Sequence, residues 1–205
     1  MIKFDKVSKS HDGKAILKNF DLELKSSEKK LIYGSSGSGK TTVLRLILGF
    51  ERPDSGSIYY DDKQLKPDLV KKIRREVALV PQNLDISEGD VYEFIENVFT
   101  LDSTPELSED KLNRFAKILH IHEDDLHKDF EQLSGGEKQR ISILIALLLE
   151  RKIFLLDEPT SSLDKDLKRI VKSLFMDMDD ASMIIVSHDS IWKDDDIEII
   201  DLENM

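Results

Sequence analysis

The sequence predicts an α/β protein built on a mostly parallel sheet, and three observations carry that reading. An apolar strand at residues 31–33 runs into a glycine- and serine-rich turn and then into a helical pattern. From Ser134 onward strand and helix patterns alternate, as parallel strands joined by crossovers require. Ile153, Phe154, Leu155 and Leu156 form an uninterrupted apolar run, as a strand covered on both faces must, and the run ends in two acids, Asp157 and Glu158.

Composition narrows the function classes. With 205 residues, 40% hydrophobic and 35% charged, the chain reads as one globular unit with a core of ordinary size and a well-solvated surface. Thirty Lys and Arg against 41 Asp and Glu give a net charge of −11, so no nucleic-acid partner held by general attraction is expected, and any phosphate binding has to be local. The absence of cysteine rules out disulfides, thiol catalysis and thiolate zinc sites. The N-terminal residues lack an apolar signal core, and the longest apolar run, residues 141–149, falls short of the roughly 20 residues of a spanning helix, so a cytoplasmic protein is expected.

Residues 2–7, 16–24 and 31–33 read as strands, separated by turns at Asp12-Gly13 and Ser26-Ser27. Val43, Leu44, Leu46, Ile47 and Leu48 recur at helical spacing, and Gly49 closes that helix. Residues 57–60 and 77–80 read as further strands. Between about Val91 and Leu133 the periods turn helical and charged, which predicts an inserted helical segment. A helix then runs through Leu149, followed by a strand at 153–156, a helix from about Asp164, and strands at 183–186 and 197–200. With no repeat or proline-rich linker, core and insertion are expected to pack as one unit, divided as 1–85 plus 139–205 for the α/β core and 86–138 for the helical part.

Gly34, Ser35, Ser36, Gly37, Ser38, Gly39, Lys40 and Thr41 satisfy G-x-x-x-x-G-K-[ST] between a strand and a helix, the context that motif requires. Glycines let the backbone curl so that N–H groups point at phosphate oxygens, and the positive end of the following helix adds to them. Lys40 would reach the β- and γ-phosphates, while Thr41, with Thr42 next to it, offers a hydroxyl to Mg²⁺. The motif alone leaves kinase, GTPase and motor open, and a glycine-rich turn before a helix is the plain alternative. At the strand end, Asp157 suits the magnesium shell and Glu158 suits a general base for water, against the alternative of an acidic turn.

Ser134 and Glu137 form the S-x-x-E capping box, opening a helix whose N–H groups can face an anion. A plain cap would not need Gly135 and Gly136, which disfavour helix. The run Leu133-Ser-Gly-Gly-Glu-Lys-Gln-Arg140 resembles the signature of ATP-binding cassette (ABC) ATPases, and the resemblance extends over almost the whole chain. It implies a P-loop core, an antiparallel β subdomain on the N-terminal side, an inserted helical signature subdomain, and ATP with Mg²⁺ as cofactors. It also implies that Gln82 is a glutamine that contacts magnesium and water, that Ser161, Ser162, Leu163 and Asp164 form the D-loop, and that His188 is the switch histidine at the γ-phosphate. Singly, Gln82 reads as a surface glutamine and His188 as a hydrogen-bonded strand-end histidine.

The family's adenine-stacking position, usually aromatic, falls on His11, where imidazole offers less area and a turn role stands beside stacking. The chain ends soon after His188, so regulation through a C-terminal domain is not expected. His120, His122 and His127 read as part of a charged connection rather than a metal site, Asp177 to Asp180 and Asp194 to Asp196 as solvated turns, Trp192 as a packing residue, and residues 141–149 as a buried helix.

Family members work as head-to-tail pairs, each ATP lying between one copy's P-loop and the other's signature. The resemblance therefore implies a homodimer or a paired nucleotide-binding domain, serving a separate transmembrane permease from the cytoplasmic face of the membrane. Residues 86–94 faintly resemble the corresponding exporter segment. The alternatives are a soluble ABC switch on a non-transport complex, and a module that binds ATP without hydrolysis. The second is disfavoured by the presence of Lys40, Asp157, Glu158 and His188.

Overall fold

The computed structural model describes residues 1–86, 88–101, 104–193 and 197–203. Strands β1 (Ile2–His11) and β2 (Lys14–Leu24) form a hairpin around Asp12 and Gly13, both at positive φ, where glycine and aspartate fit a tight reversal. β1 also pairs antiparallel with β4 (Ser55–Tyr60), which pairs with the two-residue β5 (Lys63–Gln64), giving a four-stranded antiparallel sheet in the order β2-β1-β4-β5.

The second sheet is parallel throughout. β3 (Lys29–Tyr33), β6 (Val77–Val80), β7 (Ile153–Asp157), β8 (Ser182–Ser187) and β9 (Glu198–Asp201) are arranged as β6-β7-β8-β3-β9. Successive side chains alternate between its faces. Phe154, Leu156, Met183 and Ile185 enter one cluster, while Leu155, Ile184 and Val186 enter the other. Both faces are covered, which accounts for the unbroken apolar runs.

On one face, α1 (Lys40–Ile47) sets Val43, Leu44, Leu46 and Ile47 against the sheet together with β1, β2 and β4. Gly49, at φ 62, follows the last turn of α1 as the expected left-handed stop. On the other face lie α6 (Gly135–Leu148) and α7 (Lys165–Met176), joined in one cluster by α3 (Val91–Phe99), α4 (Glu109–Ile118), the short α5 (Glu123–Leu126) and the 3-10 turn Phe130–Gln132. Helical insertion and sheet therefore share a core. α6 buries Ile141, Ile143, Leu144, Ala146, Leu147 and Leu148, which cover its whole circumference as a central helix requires.

α2 (Pro67–Glu76) is a helix that the sequence reading omits. Leu69, Val70 and Ile73 recur at helical spacing behind Pro67 at its start, so the apolar period is present, but six of its ten residues are charged and only Ile73 is fully buried, which leaves the apolar face narrow. Trp192, in the 3-10 turn Ser190–Trp192, is fully buried, with its Nε1 donating to Thr160 Oγ1 at 3.1 Å. Asp177, Asp179 and Asp180 are exposed, whereas Asp194 to Asp196 lie outside the described residues. Among the described residues no helix is long and apolar enough to cross a membrane.

α7 holds the sheet through Leu167, Val171 and Phe175, spaced four apart, and Phe175 meets Phe154 edge-on with centroids 5.6 Å apart. Phe175→Ala should lower unfolding free energy by about 3–5 kcal/mol, read from urea denaturation followed by circular dichroism. A loss under about 1 kcal/mol would show that α7 is not held through this ring.

Candidate nucleotide site

Because the strands are parallel, their C-terminal ends share one edge, where open α/β sheets bind ligands. β3 ends at Tyr33 beside Ser187 of β8, Asp157 of β7 pairs with Val186, and Val80 of β6 pairs with Leu156. The loops that follow deliver Gly34 to Gly39, His188, Glu158 and Gln82 along that edge. They line a cavity of about 360 Å³ walled by His11, Ile16, Ser36, Gly37, Gly39, Lys40, Thr41, Thr42, Gln82, Glu158 and His188.

The loop at 34–39 is shaped by its glycines. Gly39 caps α1 at φ 100, and a Cβ there would lie 2.6 Å from Ile16 Cγ2. A Cβ on Gly34 would lie 2.6 Å from Ser38 Oγ, itself a buried hydroxyl with no hydrogen-bond partner among the described residues. Lys40 is buried, its Nζ donating to Gly34 O at 2.7 Å and Ser35 O at 2.9 Å and lying 3.3 Å from Glu158 Oε1. Ser35 N donates to Glu203 Oε1 at 2.7 Å.

Glu158 is the hub of the site. His188 Nδ1 lies 2.9 Å from its Oε1, the His188 backbone N–H donates to the same carboxylate at 3.2 Å, and Ser187 Oγ donates to Oε2 at 3.0 Å. A carboxylate only accepts, so this contact places a proton on Nδ1 and, in the neutral ring, leaves Nε2 as an acceptor. Thr41 Oγ1 donates to Asp157 Oδ1 at 3.2 Å. Burial pushes the Asp157 carboxyl above the usual carboxylate range; the Thr41 hydrogen bond opposes this, the Glu158 charge adds to it, and Lys40 opposes it.

His11 ends β1 at the cavity wall, and its Nε2 lies 3.1 Å from Glu51 Oε2, whose other oxygen takes Arg45 Nε at 2.8 Å. Ser134, Gly135, Gly136 and Asp164 do not line the cavity. Ser134 and Gly135 are exposed at the start of α6, with the capping box made at 3.3 Å by Glu137 N to Ser134 Oγ and at 2.7 Å by Ser134 N to Glu137 Oε2. Hydrogen bonding to the Glu137 carboxylate, from the Ser134 side chain first and then from the Ser134 backbone N–H, holds it below the usual carboxylate range. Asp164 caps α7 by accepting from Asp166 N and Leu167 N at 3.0 and 2.9 Å, and the Leu167 amide is first among the causes holding its carboxyl low.

Ser187 and Gln139 received no role from sequence, although Gln139 lies inside the run Leu133 to Arg140 and Ser187 adjoins His188. The signal for Ser187 is its place at a strand end next to His188. Among the described residues no group of three or more His, Cys, Asp or Glu could hold a metal; His122 caps α5, and the His127 ring packs 5.6 Å from Tyr92.

The ABC transporter family matches residues 17–161. The chain is 38% identical to the spermidine/putrescine import ATP-binding protein PotA of Fusobacterium nucleatum, over 89% of this chain and 49% of that protein. It is 34% identical to the methionine import ATP-binding protein MetN of Clostridium acetobutylicum, over 92% of this chain and 61% of the relative. The chain thus spans about half the length of the curated relatives it matches. Among solved structures it is similar to the dimeric post-hydrolysis state of the ATP-binding cassette MJ0796 bound to ADP and Pi, at 29% identity and TM-score 0.78, covering 94% of this chain and 90% of the other. A glycine-rich loop, two acids and a histidine meeting on one parallel sheet edge agree with that match, and the chain belongs to the ABC transporter family.

Proposed function

We propose that this chain binds and hydrolyses ATP as the nucleotide-driven subunit of an ABC transporter. The observation that carries the reading is the convergence of Lys40, His188 and Ser187 on Glu158 in a cavity walled by the phosphate-type loop. Loop amides, Lys40 and the start of α1 hold the triphosphate. Glu158, aimed by His188 and Ser187, takes a proton from water as its oxygen attacks the γ-phosphorus and the bond to the ADP oxygen breaks.

The donor set fits Mg²⁺. Thr41 hydroxyl and Asp157 carboxylate oxygens lie 3.2 Å apart, and two buried acids face one buried lysine, a deficit of positive charge that a hard cation meets. Thr41 and Asp157, with Gln82 on the same wall, would hold it. When bound, it neutralises charge developing on the phosphate oxygens. His11 and Ile16, away from the acids in sequence, are the residues for the base.

In this reading the exposed Ser134 and Gly135 and the half-buried Gly136, with Asp164, complete the cavity of a second copy head to tail, and a transmembrane permease docks near Gln82 and the helical segment on the cytoplasmic face. The division into 1–85 plus 139–205 and 86–138 belongs to the same reading. The relatives' import names favour uptake over the export suggested by residues 86–94, of which Ser87 lies outside the described residues. The family match favours transport over a soluble switch.

Glu158→Gln should keep nucleotide affinity, lose on the order of 10²–10⁴ in kcat and accumulate as a dimer with Mg-ATP in size-exclusion chromatography. Only monomer there would sink the paired arrangement. Lys40→Ala should weaken binding of a fluorescent ATP analogue on the order of 10- to 100-fold, and undiminished binding would remove the loop from phosphate recognition.

A raised carboxyl pKa means that the folded chain binds the Asp157 proton more tightly than the unfolded chain. Its contribution to stability is therefore complete below the ordinary value of 3.8 and lost as pH rises through the folded value. In metal-free buffer, Asp157→Asn should unfold at a higher temperature than the unaltered chain at pH 8, with the gap closing toward pH 4. A midpoint at pH 8 equal to or below the unaltered chain's would contradict this.

A further inference from the structure

We propose that Gln139, in the second turn of α6, is a positioning residue for hydrolysis, fixing the backbone of Glu158 and tying it to the helix that begins at Ser134. The inference rests on the ATPase reading above. Gln139 is buried, with Nε2 donating to the Glu158 carbonyl at 2.8 Å and Oε1 accepting from the Ser162 backbone N–H at 3.0 Å. A carbonyl only accepts and an N–H only donates, so the two partners fix which way the amide points. They also require a side chain that donates on one side and accepts on the other, which an ionised glutamate or a lysine cannot do.

Gly136, three residues earlier on α6, presses on the same segment: a Cβ there would lie 2.9 Å from Ser162 O. The start of α6 is thus seated directly on residues 158–162. Glu158 holds φ 46, in the left-handed region that residues other than glycine adopt only when their surroundings enforce it. Its N–H donates to Val186 O at 2.9 Å, and its carbonyl takes Ser161 N at 3.1 Å as well as Gln139.

The dihedrals on either side of that carbonyl set where the Glu158 side chain points. Without the Gln139 bond the Glu158 carbonyl keeps only the Ser161 N–H, so the peptide is held less firmly and the carboxylate is less closely set relative to His188 and Ser187. Gln139 does not line the cavity, so its loss should alter turnover rather than nucleotide binding. The same bonds make any displacement of the Ser134 corner a displacement of the Glu158 peptide.

The test compares the full chain with Gln139→Leu and Gln139→Glu in steady-state ATP hydrolysis and in binding of a fluorescent ATP analogue. Gln139→Leu should lose about tenfold or more in kcat while affinity stays within about twofold. In Gln139→Glu the Ser162 acceptor survives, and the introduced carboxyl can donate to the Glu158 carbonyl only when protonated. Its kcat relative to the unaltered chain should therefore be lower at pH 8 than at pH 6. Unchanged kcat in Gln139→Leu, affinity falling as far as turnover, or a pH-independent deficit in Gln139→Glu would each overturn the positioning role while leaving the ATPase reading intact. An unaltered chain that hydrolyses nothing would overturn both.

Discussion

Lys40, Asp157 and Glu158 bring three full charges to one edge of the parallel sheet, each 5–6% exposed. Removing such groups from water costs several kcal/mol apiece unless partners are held in good geometry. Lys40 has two loop carbonyls and Glu158; Glu158 has Lys40, His188 and Ser187; Asp157 has one hydroxyl. Every strand that ends at this edge contributes a partner to the cluster or a wall to the cavity beside it, apart from β9. A chain that only needed to fold would place leucines there, as it does one residue earlier in β7.

The parallel sheet makes the cluster reachable from distant sequence. Residues 34–41, 82, 157–158 and 187–188 end or follow four different strands, yet the order β6-β7-β8-β3 sets the ends of those strands side by side. The antiparallel sheet closes the remaining side by sending His11 and Ile16 to the wall. The start of α6 faces elsewhere: its capping box is already made by Glu137, so the serine stays ordered at the surface without help from the cavity.

Much of this was legible because it depends on local pattern. The glycine loop, the apolar β7 run and the Ser134 cap each rest on a local constraint, and the strands and α7 fall within a few residues of where period and cap residues put them. α2 was less legible, although Pro67 and the spacing of Leu69, Val70 and Ile73 mark it, because six charged residues among its ten leave a narrow apolar face with one fully buried side chain. The roles of Ser187 and Gln139 were hidden for another reason. Each acts on Glu158 from 29 or 19 residues away, and no local rule specifies which polar residue a fold will bring to a given carboxylate or carbonyl.

Residues 158–164 explain how a non-glycine residue keeps a left-handed backbone at this edge. Thr160 is fully buried and receives Trp192 Nε1, Leu163 enters the core, and Asp164 is fixed by capping α7. Gln139 adds a hold from α6 and Val186 one from β8. A segment pinned from α6, α7, β8 and the Trp192 turn cannot relax one dihedral without breaking a buried contact, which is the condition under which strain persists. It follows that the setting of the Glu158 carboxylate is a property of four packed elements, and that a change at the start of α6 or of α7 reaches it through backbone rather than through solvent.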